Sequence, residues 1–358
     1  MEPDQFSRFS QLLDAPGPSG FEQGPARLWR EAARFADEVI GDVSGNSLAT
    51  VFPSSGERDG PRLMFAGHID EIGVMIIHVD DDGFCYFEPI GGWDTQVFVG
   101  QRVSLLGRRG SVQGVIGKQA IHTMDQADRE KLSKPHHLWI DIGARNRAEA
   151  LELVGIGTAG VLGATLLQLP NGRVVSRSLD NRVGAFVVLE ALRLLADKRP
   201  RIPVTAVATT QEEIAYSGGG ARTSATSLQA RAAVVVDVTH ATDSPGVEKK
   251  RHGDIRLGGG PVLARGAAVN PVVFDLLVAT AEEEGIPYAV QGAARFTGTD
   301  ADAIFTAHHG IATGLVSVPL RYMHSPNELV ALDDVMNAAK LLAAFALRID
   351  ESTDLVPR

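Results

Sequence analysis

The sequence predicts an α/β protein: a helix-covered, largely parallel sheet into which a small β-barrel is inserted. Three observations lead there. Helical and strand-like apolar patterns alternate through the second half of the chain. Five short polar islands each follow a β-rich apolar run. Between about residues 74 and 163 the texture changes to short β-branched runs punctuated by glycine, such as Val99-Gly100-Gln101-Arg102-Val103.

Taken in order, residues 6–13 carry apolar spacing near 3.6, Pro16-Gly17-Pro18-Ser19-Gly20 breaks the pattern, and residues 25–35 resume it, which reads as helix, turn, helix. Strand signals begin after Gly45-Asn46. Residues 62–66, 174–178, 203–209, 232–236 and 313–318 read as buried parallel strands of one sheet. Asn181 caps a strongly apolar helix over 182–196; further helices are expected over 271–284 and 332–347. The expected domain division is an α/β domain over 1–73 and 164–351, with the β-rich insertion at 74–163. Residues 352–358 end in Leu355-Val356-Pro357-Arg358, which looks like a thrombin-type tag remnant, and are left out of the fold.

A formal net charge of −10, with no basic block longer than Lys249-Lys250-Arg251, argues against nucleic acid or an anionic membrane as partner. The single cysteine, Cys85, has no partner for an internal disulfide, and no secretory leader or bilayer-length apolar run is visible. A cytoplasmic protein is expected.

The islands are Gly67-His68-Ile69-Asp70-Glu71, Ser178-Leu179-Asp180-Asn181, Gln211-Glu212-Glu213, Val236-Asp237-Val238-Thr239-His240 and Met323-His324-Ser325-Pro326. If all five follow parallel strands, all emerge at the carboxyl edge, where open α/β sheets bind ligands. Carboxylates gathered there repel one another and raise each other's pKa unless something positive sits among them. Imidazole with carboxylate suits a divalent metal. Each island alone has an ordinary explanation: a surface His beside a solvated acid, a turn Asp, a solvated Glu pair, a loop His. Their combination points to a metallohydrolase. His68 and Asp70 alternate on an extended segment, so one can bind metal while the other fixes the imidazole tautomer. Adjacent Glu212 and Glu213 point in different directions, so one can coordinate while the other faces water. Asp237 ends an apolar run in which an unpaired carboxylate is costly.

In these residues the chain resembles the dinuclear-metal aminopeptidases of the glutamyl aminopeptidase type, which include tetrahedral (TET) particles and members once labelled endoglucanases. The resemblance runs from Pro16-Gly17-Pro18-Ser19-Gly20-Phe21-Glu22 to His324-Ser325-Pro326. It implies that His68 and Asp237 hold one metal, His324 and Glu213 a second, and Asp180 bridges them. It further implies that Asp70 supports His68, that Glu212 is the general base, and that the Asp180-Asn181 peptide bond is cis. It makes the insertion a PDZ-like dimerisation domain and implies dimers assembling into a hollow dodecamer that admits peptides. The expected cofactors are two divalent ions per subunit, zinc or cobalt first and manganese as an alternative. Five ligands with three carboxylates leave surplus positive charge to lower the pKa of a bridging water, whose proton Glu212 takes. A related two-metal carboxypeptidase or deacylase remains open, as does a non-catalytic metal-stabilised scaffold. The stretches Phe296-Thr297-Gly298-Thr299-Asp300-Ala301-Asp302 and Ile214-Ala215-Tyr216-Ser217-Gly218-Gly219-Gly220 depart from the family pattern and bear on substrate preference. His240 is a further candidate to support the metal ligands, and the glycines at 218–220 and 258–260 are expected to be turns.

Overall fold

The computed structural model describes residues 1–214 and 218–358. Helices α1 (Pro3–Asp14) and α2 (Gln23–Ala32) precede strands β1 (Glu38–Gly41), β2 (Ser47–Val51) and β3 (Leu63–His68). Six strands then close a barrel: β4 (Gly73–Val79), β5 (Cys85–Ile90), β6 (Arg102–Gly107), β7 (Gly110–Gly117), β8 (Trp139–Asp141) and β9 (Ala159–Leu162). Short helices α3 (Gln126–Arg129) and α4 (Arg147–Leu153) lie in its connections. After it come β10 (Leu167–Leu169), β11 (Arg173–Ser176), α5 (Leu179–Lys198), β12 (Val204–Thr209), α6 (Gly219–Leu228), β13 (Ala232–His240) and α7 (Lys249–His252). The chain continues through β14 (Val262–Gly266), α8 (Pro271–Glu283), β15 (Ala289–Ala293), α9 (Ala301–Ile304), β16 (Ala312–Leu320), β17 (Glu328–Ala331) and α10 (Leu332–Arg348).

The main sheet has the order β1-β2-β12-β3-β13-β16-β14-β15. Its four central strands, β12, β3, β13 and β16, are mutually parallel, while β2 and β14 join them antiparallel. Helices cover both faces, so β3 and β12 are buried at every position and read as continuous apolar runs instead of alternating ones. The α/β architecture with its inserted barrel is therefore as the sequence predicts. The barrel has its own core, built on Val74, Ile76, Phe87, Phe98, Leu105 and Ile140, separate from the main one. Cys85 is buried within it, where burial first and then Asp80 push its thiol up to about 11.

Helix α5 is apolar around most of its circumference because it is packed between the sheet and α10. Two glycines set how close it comes. A Cβ on Gly67 would stand 2.5 Å from the backbone carbon of Gly184, and one on Gly184 would stand 2.6 Å from the Val236 carbonyl oxygen. This approach brings the start of α5, with Asp180, up to the ends of β3 and β13. Asn181 Oδ1 accepts from the Gly184 N–H at 3.0 Å, the capping role its residue type predicts. The Asp180-Asn181 peptide bond is cis.

Two expectations need correction. Residues 174–178 do not extend the parallel sheet. β11 instead lies between β10 and β17, antiparallel to both, in a separate three-stranded sheet. The pair Asn171-Gly172, with φ of 64° at both residues, turns β10 back onto β11 as a hairpin, which a helix crossover into a parallel sheet would not need. Burial along β11 alternates, as for a strand with one covered face. The glycines at 218–220 likewise start α6 instead of forming an isolated turn. A side chain at Gly220 would collide with Asn46 Oδ1, 1.9 Å from an ideal Cβ.

Near the end of the sequence Leu355 joins the main core, and its carbonyl accepts from Asn270 Nδ2 at 3.0 Å, while residues 356–358 are exposed. Asn270 also caps α8, its Oδ1 accepting from the Val272 and Val273 N–H groups at 2.9 and 3.1 Å. Asn270→Ala is expected to lower stability by about 1–2 kcal/mol, as for loss of an N-cap with a further bond. Urea unfolding followed by circular dichroism measures this, and an unchanged midpoint would refute it.

Candidate metal centre

The parallel strands deliver four of the five islands to one edge. His68 is the last residue of β3 and pairs in register with Thr209, the last of β12, so Glu212 and Glu213 begin three residues past the same line. Asp237 lies on neighbouring β13. His324 lies four residues past Leu320, the last residue of the parallel strand β16, and Asp180 alone arrives by a different route, from the start of α5.

All five proposed ligands and Glu212 converge. Asp180 sits between the imidazoles, with Oδ1 3.2 Å from His68 Nε2 and Oδ2 3.4 Å from His324 Nε2. His324 Nε2 is also 3.3 Å from Glu213 Oε2. His68 Nε2 is 3.6 Å from Glu212 Oε2 and 4.0 Å from Asp237 Oδ1. Asp70 lies behind His68, its Oδ1 3.4 Å from Nδ1 though without hydrogen-bond alignment.

The donor chemistry fits divalent cations. His68, Asp180 and Glu213 offer atoms within 4.8 Å of one another, and so do His68, Glu212 and Asp237. Glu213 Oε1 is buried with no hydrogen-bond partner among the described residues. The charges are frustrated in the way a cation would relieve. Burial, with Asp237, Asp300 and Glu213 nearby, pushes Glu212 up to about 10 despite His68. Burial and then Asp180 push Glu213 up to about 7, and burial holds Asp237 well above the usual carboxylate range. Burial also opposes charge on Asp180, but bonds from His324 and His68 outweigh it and hold that carboxylate low. Bonds to Asp180 and Glu213 raise His324 to about 11; for His68, burial acts downward but Glu212, Asp180 and Asp70 raise it well above its ordinary value.

A cavity of about 850 Å³ opens over these groups. Thr297, Gly298, Asp300, Asp302 and His240 line it, as does Arg222 of α6. Asp302 turns into its own loop, accepting from the Thr297 and Gly298 N–H groups at 3.0 and 2.8 Å. The six histidines His122, His136, His137, His252, His308 and His309 are exposed and away from the cavity lining. Ala215, Tyr216 and Ser217, expected to bear on substrate preference, lie outside the described residues.

Several groups that shape the centre escaped the sequence reading. The loop carrying Glu212 and Glu213 is pinned through four consecutive backbone N–H groups. That of Thr210 donates to Asn46 Oδ1 at 3.0 Å, that of Gln211 to Glu22 Oε1 at 3.2 Å, and those of Glu212 and Glu213 to the Asp70 oxygens at 3.2 and 3.1 Å. Burial, then Asp70, pushes Glu22 up to about 7. Behind Asp180, the fully buried Arg182 donates to Glu71 Oε1 at 2.8 Å and to the Ile69 carbonyl at 3.0 Å. Glu328, 2% exposed, opens β17. The available signals were faint: a Glu ending the Pro16-to-Glu22 motif, and an acid at the head of an apolar run four residues past His324.

A model of the M42 glutamyl aminopeptidase family matches residues 46–341. The chain is similar to the lysyl aminopeptidase of Pyrococcus furiosus, 33% identical over 340 residues that cover 93% of this chain and 94% of that one. Among solved structures it resembles a TET aminopeptidase from a marine sediment Thaumarchaeota archaeon, with TM-score 0.90, 31% identity and 97% of both chains covered. It also resembles the Pyrococcus horikoshii TET1 peptidase, which can assemble into a tetrahedron or a large octahedral shell. There the TM-score is 0.85 and the identity 28%, with 96% of this chain and 100% of that one covered.

Proposed function

The chain belongs to the M42 glutamyl aminopeptidase family, and from that premise we propose that it removes amino-terminal residues from peptides with two divalent cations held side by side. His68 and Asp237 hold one, His324 and Glu213 the other, and Asp180 is shared. The observation that carries this reading is the division of the Asp180 carboxylate, one oxygen toward each imidazole at 3.2 and 3.4 Å. Zinc, cobalt or manganese in such a setting supplies Lewis acidity that polarises the scissile carbonyl and acidifies water.

The chain's own residues do the rest. Asp70 restrains the His68 ring and, through two backbone N–H groups, holds Glu212 and Glu213 in place. Glu212 lines the cavity, takes the proton of the attacking water and returns it to the leaving nitrogen. The walls of the 850 Å³ cavity receive the first side chain. Peptides with free and blocked amino termini, assayed after chelation and return of each metal, test the reaction. Cleavage of the free forms alone is expected, whereas equal cleavage of blocked forms would favour a carboxypeptidase or deacylase.

Among the described residues no helix is long and apolar enough to cross a membrane; cytoplasmic residence accords with the single, buried Cys85. Assembly is assigned to the barrel, whose β4 and β9 pair at Val74 and Gly160 so that the ends of the insertion lie side by side. Deleting residues 74–163 and joining the ends is expected to leave a dimer-free α/β core that elutes as a monomer, because the main core does not draw on the barrel's. Light scattering checks this, and a large particle after deletion would place assembly elsewhere.

A further inference from the structure

We infer that Glu328 is a positioning residue for one half of the metal centre: its carboxylate fixes the backbones of Asp180 and His324 together, and its loss would weaken the cation held by His324 and Glu213 selectively. This rests on the two-cation reading. Glu328 Oε2 accepts the Asp180 N–H at 2.9 Å, and Oε1 accepts the His324 N–H at 2.9 Å. One buried side chain thus satisfies the amides of two proposed ligands that are 144 positions apart in sequence. Each bond satisfies a buried backbone N–H that would otherwise be orphaned at a cost, so the two backbones are held firmly.

The His324 loop needs such an anchor. Tyr322 and His324 both lie in the left-handed region, at φ of 63° and 57°, where side chains other than glycine persist only under restraint. The loop is closed at its base by reciprocal 3.0 Å bonds between Arg321 and Leu329. The register of the small sheet then sets Glu328 opposite Ser176, two residues before Ser178 and the turn to Asp180. The three-stranded sheet that the sequence did not predict therefore aligns two ligand-bearing loops, and Glu328 is the group that couples them. His68 and Asp237 sit on the parallel strands and make no bond to it, so one position keeps two of its three proposed ligands independent of Glu328 while the other keeps only Glu213, which gives the inference its selectivity.

Glu328→Gln keeps the size of the side chain but turns an N–H₂ group toward one of the two amides. Cobalt titration of the metal-stripped full-length protein, followed by its visible absorption, is expected to show one of two dissociation constants rising by about 10–100-fold and the other staying within about threefold. Turnover should recover when excess cobalt refills the weakened position. Two constants like those of the unaltered protein, or equal weakening of both, would overturn the inference. An unaltered protein that binds only one cobalt would sink the two-cation reading instead. Glu328 is then judged by hydrogen exchange in the unaltered, metal-stripped chain, a measurement that also serves if the variant does not fold. The Asp180 and His324 amides should stay protected there; fast exchange at either would overturn the assignment.

Discussion

Glu212→Gln is expected to lower turnover by about a hundredfold or more while leaving metal content unchanged, the loss typical of removing a general base. Glu212 and Glu213 are adjacent, yet their surroundings differ. Glu213 Oε2 is 3.3 Å from His324, shares that imidazole with Asp180 and belongs to a side chain only 4% exposed, whereas Glu212 Oε2 stands 3.6 Å from His68 on a side chain 17% exposed. The side-chain amide introduced by Glu212→Gln would keep the shape and leave the backbone bond to Asp70 in place, but it could not accept a proton. Glu213→Gln is expected to lose metal first and activity as a consequence. Metal analysis beside steady-state kinetics separates the two. Glu212→Gln with lowered metal content, or Glu213→Gln with full metal and unimpaired turnover, would overturn the division of roles.

Asp180→Ala is expected to have the larger effect, a fall in turnover of about a thousandfold or more with loss of metal from both positions. Among the described residues, the Asp180 carboxylate is the one within 4 Å of both imidazoles. Without it the proposed ligand set drops from three carboxylates to two, and Glu213 is left as the partner of His324. A thousandfold corresponds to about 4 kcal/mol of transition-state stabilisation, in the range expected where a charge-organising centre is dismantled. Plasma emission analysis of the purified variant and its turnover with restored metal provide the measurement. Full occupancy with more than a tenth of normal turnover would refute the bridging role.

The sequence carried much of this arrangement, for identifiable reasons. Buried parallel strands write themselves as unbroken apolar runs, so β3, β12, β13 and β16 were legible, and the polar residue that ends each run stood out against it. Asn181 announced the start of the long helix by its residue type. β11 was misplaced because Val174 and Val175 suit a parallel or an antiparallel strand equally; only Asn171-Gly172 distinguished the two. Glu22, Asn46 and Glu328 were invisible as site-shaping groups because each acts on a distant backbone amide. Such an amide leaves no residue-type signature at its own position, as Gln211 and Asp180 illustrate. Their roles exist only once the chain has brought remote segments within 3 Å or so of each other.

The pairing of β17 with β11 also decides when, during synthesis, the proposed centre can be assembled. His68, Asp180 and Asp237 are translated well before His324, and β17 is the last of the three strands of the small sheet to be made. A nascent chain therefore presents one half of the proposed centre early and the other only once β17 has been made. A product that stops at the end of β16 lacks both His324 and the acid that anchors its loop, so the second cation position is never completed. On the two-cation proposal, nascent copies still short of His324 and β17 lack one ligand and the acid that anchors it, and are not yet peptidases.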